Sequence, residues 1–341
     1  MYAITLSEFG GPENMSWAEV DDPQPGPGEV AIDVVASAVN RADLLQRQGN
    51  YPVPPGASEI LGLECSGRIS ALGDGVAERS AGAIGQSDGW SVGDPVCALL
   101  AGGGYAQKVV VPAVQVLPVP DGVSLEDAGG LPEVACTVWS NVFQVGGLRE
   151  GQTFLVQGGS SGIGTHAIQV AKARGARVAA TAGNPDRLQT CRDLGADIAI
   201  DYHDDVADEL GKATEGHGAD VILDNMGAKG LDNNLSALAS DGRLMIIGMQ
   251  GGVKGEFNIG KLLGKRGGVF AMGLRGRPVE GPGSKAEVVS GVRENVWPLV
   301  SSGKVRPVVF DRFSMADAAD AHRRLDEGGV VGKLLLLNPD A

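Results

Sequence analysis

Cysteine is scarce: Cys65, Cys97, Cys136 and Cys191 are the only four in 341 residues, and they are scattered without paired spacing. That argues against a disulfide framework and against a cysteine-based zinc module. Long apolar runs are missing too, since none approaches the roughly 18 uninterrupted residues of a membrane span. The opening segment MYAITLSEFG has neither the basic start nor the apolar centre of a secretory signal, so a cytoplasmic protein is expected. Positive charge is in deficit: 28 Lys and Arg against 42 Asp and Glu leave a formal net charge of −14. Nucleic acid and anionic membrane surfaces are thereby excluded as main partners. Aromatic residues reach only 4%.

What stands in their place is glycine, 53 residues of it, with 43% hydrophobic residues. This combination supports a packed core with many tight turns and close backbone approaches, as in α/β enzymes. The length exceeds one typical domain and implies two. Residues 1–125 read as strands broken by Pro and Gly, with EVAIDVVASAVN a strand and YAQKVVVPAVQVLPVP extended. The small, polar segment 78–90 reads as a surface loop. From Ser124, a helix cap followed three residues later by Asp127, the period changes. Strand and helix then alternate: TFLVQGG with GIGTHAIQVAKARGA, RVAATAG with PDRLQTCRDLGA, IAIDY with DDVADELGKATEG, and ADVILDNMG before RLMIIGM. Mostly apolar strands in regular alternation with helices indicate a parallel, doubly wound sheet. The tail adds a helix over 285–302, a strand, a second helix and the closing strand GKLLLL.

The turn VQGGSSGIG, Val156–Gly164, joins a strand to a helix, where free amides and a positive helix end suit a phosphate. Gly159, Gly162 and Gly164 permit the sharp turn, the approach of a pyrophosphate and tight helix–strand packing, although Ser161 replaces the middle glycine of the dinucleotide pattern. Two rivals share these letters. The hydrolase elbow Gly-x-Ser-x-Gly needs a catalytic histidine, and none of His166, His203, His217 and His322 is framed as one. The short-chain dehydrogenase turn needs Tyr-x-x-x-Lys, and none of Tyr2, Tyr51, Tyr105 and Tyr202 has lysine four residues on. About the cofactor, an acid ending the second strand would select NAD. Gly183 stands there instead, with Arg187 and Tyr202 in reach of a 2′-phosphate, so NADPH is favoured. Asp186, pointed inward, would oppose that phosphate.

The blocks 36–67 (ASAVNRADLLQRQGNYPVPPGASEILGLECSG) and 92–107 (VGDPVCALLAGGGYAQ), followed by GGSSGIG, TAG and GKLLLL, give the chain a resemblance over its whole length. It resembles the medium-chain dehydrogenase/reductase superfamily, and within it the zinc-free quinone oxidoreductases. The resemblance implies a β-rich GroES-like catalytic domain wrapping a Rossmann domain, with 1–124 and 274–341 in the former and 125–273 in the latter. Where zinc enzymes of the superfamily carry Cys-x-x-Asp and Gly-His-Glu, this chain has Asn40 to Asp43 and Gly62-Leu63-Glu64. Glu133 takes the place of a third, cysteine ligand, with Cys136 offset. A metal-free site is expected, with Glu64 satisfied by a buried hydrogen bond or an ion pair, Arg41 and Arg47 being its nearest candidates.

The resemblance further implies hydride transfer from NADPH to a quinone. Asn40 would donate an amide N–H to a quinone oxygen, Tyr51 would contact substrate or the nicotinamide ribose, and Asp43 would orient Asn40 or relay a proton. Ser161, Gly162 and Ile163 would line the pyrophosphate, and Met226 and Gly227 the adenosine side. Gly248, Met249, Gln250, Phe270 and Met272 would border the nicotinamide, and Lys333 would reach a phosphate. The alternatives are reduction of an enal or enone by the same geometry and a non-catalytic NADPH-binding protein. A homodimer joined through Rossmann sheet edges is the family expectation.

Overall fold

Alternating apolar residues Val30, Ile32 and Val34 make Glu29–Ala38 the central strand of a sheet, buried on its inward face. In the computed structural model, which describes residues 1–76 and 89–341, this strand is flanked by Glu64–Leu72 and Lys333–Leu337, both antiparallel to it. The loop expected over 78–90 falls almost wholly outside the described residues. The sheet order is Val309–Ser314, Lys333–Leu337, Glu29–Ala38, Glu64–Leu72, Pro95–Leu99, Val116–Pro118, with Lys108–Pro112 also paired to Glu29–Ala38. The core between these strands gathers Val30, Ile32, Ile69, Val96, Leu334 and Leu336. Strands from both ends of the chain therefore share one sheet.

The chain divides into two compact units, residues 1–136 with 274–303 and 307–341, and residues 137–273 with 304–306. The change of period at Ser124 marks a helix start: Ser124 Oγ accepts from Asp127 N at 3.1 Å and caps Leu125–Ala128. That short helix stays with the first unit because Gly129 packs on Ala36 with no room for a Cβ, which would lie 2.9 Å from the Ala36 side chain. The helix expected over 285–302 is two, Lys285–Asn295 and Trp297–Ser301. Pro298 is the reason: it has no N–H to continue the first helix but fits the first turn of the second.

The second unit is a six-stranded sheet in the order Ile198–Asp201, Arg177–Ala182, Thr153–Val156, Ala219–Asp224, Leu238–Ile246, Gly268–Ala271, every neighbouring pair parallel. Its inner strands are buried on both faces, as parallel sheets covered by helices require. The α/β class and the β-rich GroES-like plus Rossmann architecture are those of the fold. The strand order reverses between Thr153–Val156 and Ala219–Asp224, which opens a crevice at the carboxyl ends of these strands. Among the described residues, no helix is long and apolar enough to cross a membrane.

Candidate active site

In the first unit the site is a buried polar network. Asn40 follows the central strand and begins the helix Arg41–Arg47; its N–H donates to Asp43 Oδ2 at 2.8 Å. Asp43 also accepts from Gly62 N at 3.1 Å and from the Tyr105 hydroxyl at 3.2 Å. Gly62 can make that contact because its φ of +104° suits glycine alone, and a Cβ there would lie 2.6 Å from Gly104 Cα. Burial pushes the Asp43 carboxyl up to about 6, opposed by the amides of Asn40 and Gly62 and by the Lys333 ammonium. The same hydroxyl of Tyr105 lies 3.1 Å from His322 Nε2. With its one proton given to Asp43, Tyr105 accepts from His322, which is therefore the Nε2–H tautomer. Burial, then Arg47 and Arg41, lowers His322 to about 3, so it is neutral.

Glu64, fully buried, is paired with neither arginine. Lys333 Nζ donates to its Oε1 at 2.6 Å, Asn40 Nδ2 donates to Oε1 at 3.0 Å, and Glu133 N donates to Oε2 at 3.0 Å. Arg41 instead pairs with Asp326 at 2.8 Å, and Arg47 Nη2 lies 3.5 Å from the same residue. Strand register explains the correction: Leu335 opposes Ala38, so two residues further along Lys333 arrives beside Asn40. Lys333 is thus engaged in a buried ion pair rather than free for a phosphate. It also donates to Asn40 Oδ1 at 2.8 Å. Asn40 in turn differs from the expected substrate donor, because its two amide hydrogens go to Glu64 and to Ala38 O at 3.3 Å.

Tyr51 is half-buried in the same unit, with the Arg275 guanidinium carbon 5.1 Å from its ring centroid. Burial raises the Tyr51 hydroxyl above its ordinary range, with the charge of Glu133 adding to it. Tyr105 and His322 join this candidate site through Asp43, and Arg275 through Tyr51; sequence reasoning missed all three. Tyr105 lay inside the family-like block GGGYAQ and Lys333 inside GKLLLL, but no local spacing ties either to position 43 or 64.

In the second unit the residues expected to hold a dinucleotide come together at the carboxyl ends of the six strands. After Thr153–Val156 the chain turns through Gly158, and Ser161 Oγ caps the helix Gly162–Ala173 by accepting from Gly164 N at 3.1 Å. A Cβ on Gly164 would sit 2.3 Å from Gly158 O, so only glycine lets helix and turn approach this closely. The first amides of that helix, among them Gly162 and Ile163, have no intrahelical acceptor. Gly159 is packed against Ala180 and Cys191. Gly183 follows Arg177–Ala182 and lies against Tyr202, whose oxygen would be 2.2 Å from a Cβ there. Arg187 stands in the first turn of Pro185–Asp193, its N–H capped by Asn184 at 3.0 Å. Met226 and Gly227 donate their amides to buried Asp224. Gly248, Met249 and Gln250 form the turn after Leu238–Ile246, where Gln250 N donates to Asn225 O at 3.2 Å. Phe270 lies in the neighbouring edge strand, and Met272 N donates to Ile246 O at 3.3 Å.

Two family models match the chain: the alcohol dehydrogenase GroES-like domain over residues 26–121, and the zinc-binding dehydrogenase over 162–280. The quinone oxidoreductase of Pseudomonas aeruginosa is 29% identical over 338 residues, 98% of each chain. A mycobacterial protein solved in complex with NADPH is 30% identical with a TM-score of 0.84, covering 99% of this chain and 100% of that one. The CurK enoyl reductase is 26% identical with a TM-score of 0.84, covering 99% of both.

Proposed function

Since the chain belongs to the medium-chain dehydrogenase/reductase superfamily of oxidoreductases, we propose that it is an NADPH-dependent reductase of quinones that works without zinc. The observation that carries this reading is the Lys333 ammonium, held 2.6 Å from Glu64 and 2.8 Å from Asn40. A catalytic zinc needs three protein ligands. Here Asn40 is engaged on both sides of its amide, Leu63 has no donor atom, and Glu64 is neutralised by a lysine. Among the described residues no group of three His, Cys, Asp or Glu is gathered for a metal. These side chains do not fit the ion. A reductase built this way suits an acceptor that is electrophilic by itself, and a quinone is one because reduction makes its ring aromatic.

When bound, NADPH supplies hydride from C4 of its nicotinamide. The chain's own part is to bind and orient. The turn Gly158–Ser161 and the first amides of Gly162–Ala173 suit the pyrophosphate. Gly183, Arg187 and Tyr202 suit the 2′-phosphate, and Arg187 forms no ion pair of its own among the described residues. Gly248, Met249, Gln250, Phe270 and Met272 border the nicotinamide end. Tyr51 contacts the acceptor, while Asn40 and Asp43 fix the wall behind it instead of donating to it. The acceptor gains two electrons and one hydrogen, and a proton from water completes the hydroquinone. The exposed side chains of Ile259 and Leu263, on the helix Ile259–Lys265 before the edge strand Gly268–Ala271, support a homodimer along that edge.

Steady-state rates with 1,4-benzoquinone, 9,10-phenanthrenequinone and an alkenal test the reading. Quinone turnover with NADPH is expected to dominate. The enoyl reductase likeness favours one second reading, reduction of an activated C=C bond, and an alkenal rate far above both quinone rates would select it.

A further inference from the structure

Arg275 is 4% exposed and follows the last strand of the parallel sheet. Its Nε–H donates to Ala101 O at 2.8 Å. Both terminal nitrogens, Nη1 and Nη2, are buried without a hydrogen-bond partner among the described residues. No carboxylate pairs with it there; Asp43 and Glu133 act on it only through their fields. Arg47, buried as deeply, still keeps one terminal nitrogen near Asp326. An unpaired buried charge is costly, because the desolvation of each unmatched N–H is left uncompensated. The empty pair is also the part of the side chain shaped for oxygen: two parallel N–H groups in a planar fork. What covers the guanidinium is the ring of Tyr51. The Tyr51 hydroxyl makes no hydrogen bond among the described residues that would hold the ring in place.

We propose that Arg275 binds the oxygen of the acceptor that becomes negatively charged on reduction. This rests on the reductase reading and holds for either acceptor class that reading allows. The substrate class is a carbonyl conjugated to a reducible ring or double bond, admitted beside Tyr51 as that ring shifts. The hydride brings two electrons and one hydrogen to the acceptor, and the charge collects on its oxygen as phenolate or enolate. The fork holds that oxygen, and water supplies the final proton. Burial lowers the guanidinium's pKa from the ordinary arginine value, but an arginine side chain is not deprotonated in a protein and it stays charged throughout. Such donors act on charge that develops in the transition state.

The test uses a phenolate that cannot be reduced as a quinone. p-Nitrophenol titrated into the full chain is expected to ionise at lower pH when bound, seen as growth of its phenolate absorption. Arg275→Gln is expected to bind the phenolate at least about tenfold more weakly. In turnover, Arg275→Gln is expected to lower kcat for 1,4-benzoquinone by about 100-fold, the loss typical of one oxyanion donor, with the affinity for NADPH unchanged. Guanidinium chloride at low millimolar concentration is expected to restore part of kcat to Arg275→Ala, a rescue that a merely structural role would not give. Equal phenolate binding by wild type and Arg275→Gln, or kcat within twofold of wild type, would overturn the proposal. Arg275-dependent phenolate binding by a wild type that reduces no quinone or alkenal would instead overturn the reductase reading and leave the oxyanion site standing.

Discussion

In the first unit the side chains of Asp43, Glu64 and Lys333 are buried and, with half-buried Asn40, satisfy one another, while in the second unit the corresponding groups are backbone amides and glycines at the carboxyl ends of the parallel strands. The first arrangement has fixed charge and almost no free hydrogen. Every N–H of Asn40 is committed inside the fold, and Lys333 has two of its three donors engaged. The second arrangement has free donors and little fixed charge. The lesson is a division of labour: one unit holds a rigid wall by side-chain chemistry, and the other receives a ligand by backbone geometry. Substitutions within the Asn40, Asp43, Glu64 and Lys333 network should therefore act on stability, and those at the nucleotide turns of the second unit on affinity.

The largest effect is expected from Lys333→Met, which leaves Glu64 buried with no counter-charge. Breaking such a pair costs about 3–5 kcal/mol, read as a lower urea midpoint at unchanged m-value. The double variant Lys333→Met with Glu64→Gln should recover part of that loss. If Lys333→Met alone were neutral, the wall would not depend on its charges.

Asp43 gives the next effect, through pH. Its folded pKa, about 6 against an ordinary 3.8, means that its contribution is present below pH 3.8 and lost as pH rises through 6. His322, at about 3, and His166, at about 4, work in the opposite direction: each contributes above pH 6.5 and loses that contribution as pH falls. Between pH 4 and 6 the wild-type slopes oppose. Asp43→Asn removes one of them, so its stability should rise more steeply with pH over this window, by about 3 kcal/mol in total. Denaturation midpoints at pH 4, 5, 6 and 7 measure it, and parallel profiles would show that Asp43 does not titrate there.

Arg187→Glu moves to the second unit. It should raise KM for NADPH at least about tenfold, about 1.4 kcal/mol, with little change for NADH and no change in melting temperature. Equal effects on both nucleotides would remove the 2′-phosphate assignment. The smallest effect belongs to Arg41→Ala: its pair with Asp326 is about 40% exposed on both sides, and exposed pairs contribute under about 1 kcal/mol.

The same contrast explains what could be read from sequence. The cradle of the second unit is local: strand, glycine turn and helix are contiguous from Thr153 to Ala173, and the polar cap Ser161 sits where the helix begins. Apolar strands and regular spacing made the parallel sheet legible as well. The network of the first unit is non-local. Glu64 meets Lys333 across 269 residues, so a search among neighbouring arginines could not find it, and Arg41 and Arg47 turn to Asp326 instead. The pairing register of the last strand would have brought Lys333 to Asn40, but a short apolar strand does not announce its partner. Pro298 was a break visible in the letters, and it divides the helix where proline chemistry requires.

The thread joining Glu64 to Lys333 also orders events during synthesis. Residues 137–273 lie wholly between these two positions, so the ribosome delivers the whole run of parallel strands before the lysine exists. Domains fold largely as they emerge; the carboxylate must wait, solvated and unmatched, while the other half of the protein completes itself. The sheet that holds it can close only after the last strand is made, so a chain arrested before Lys333 lacks the counter-charge of Glu64.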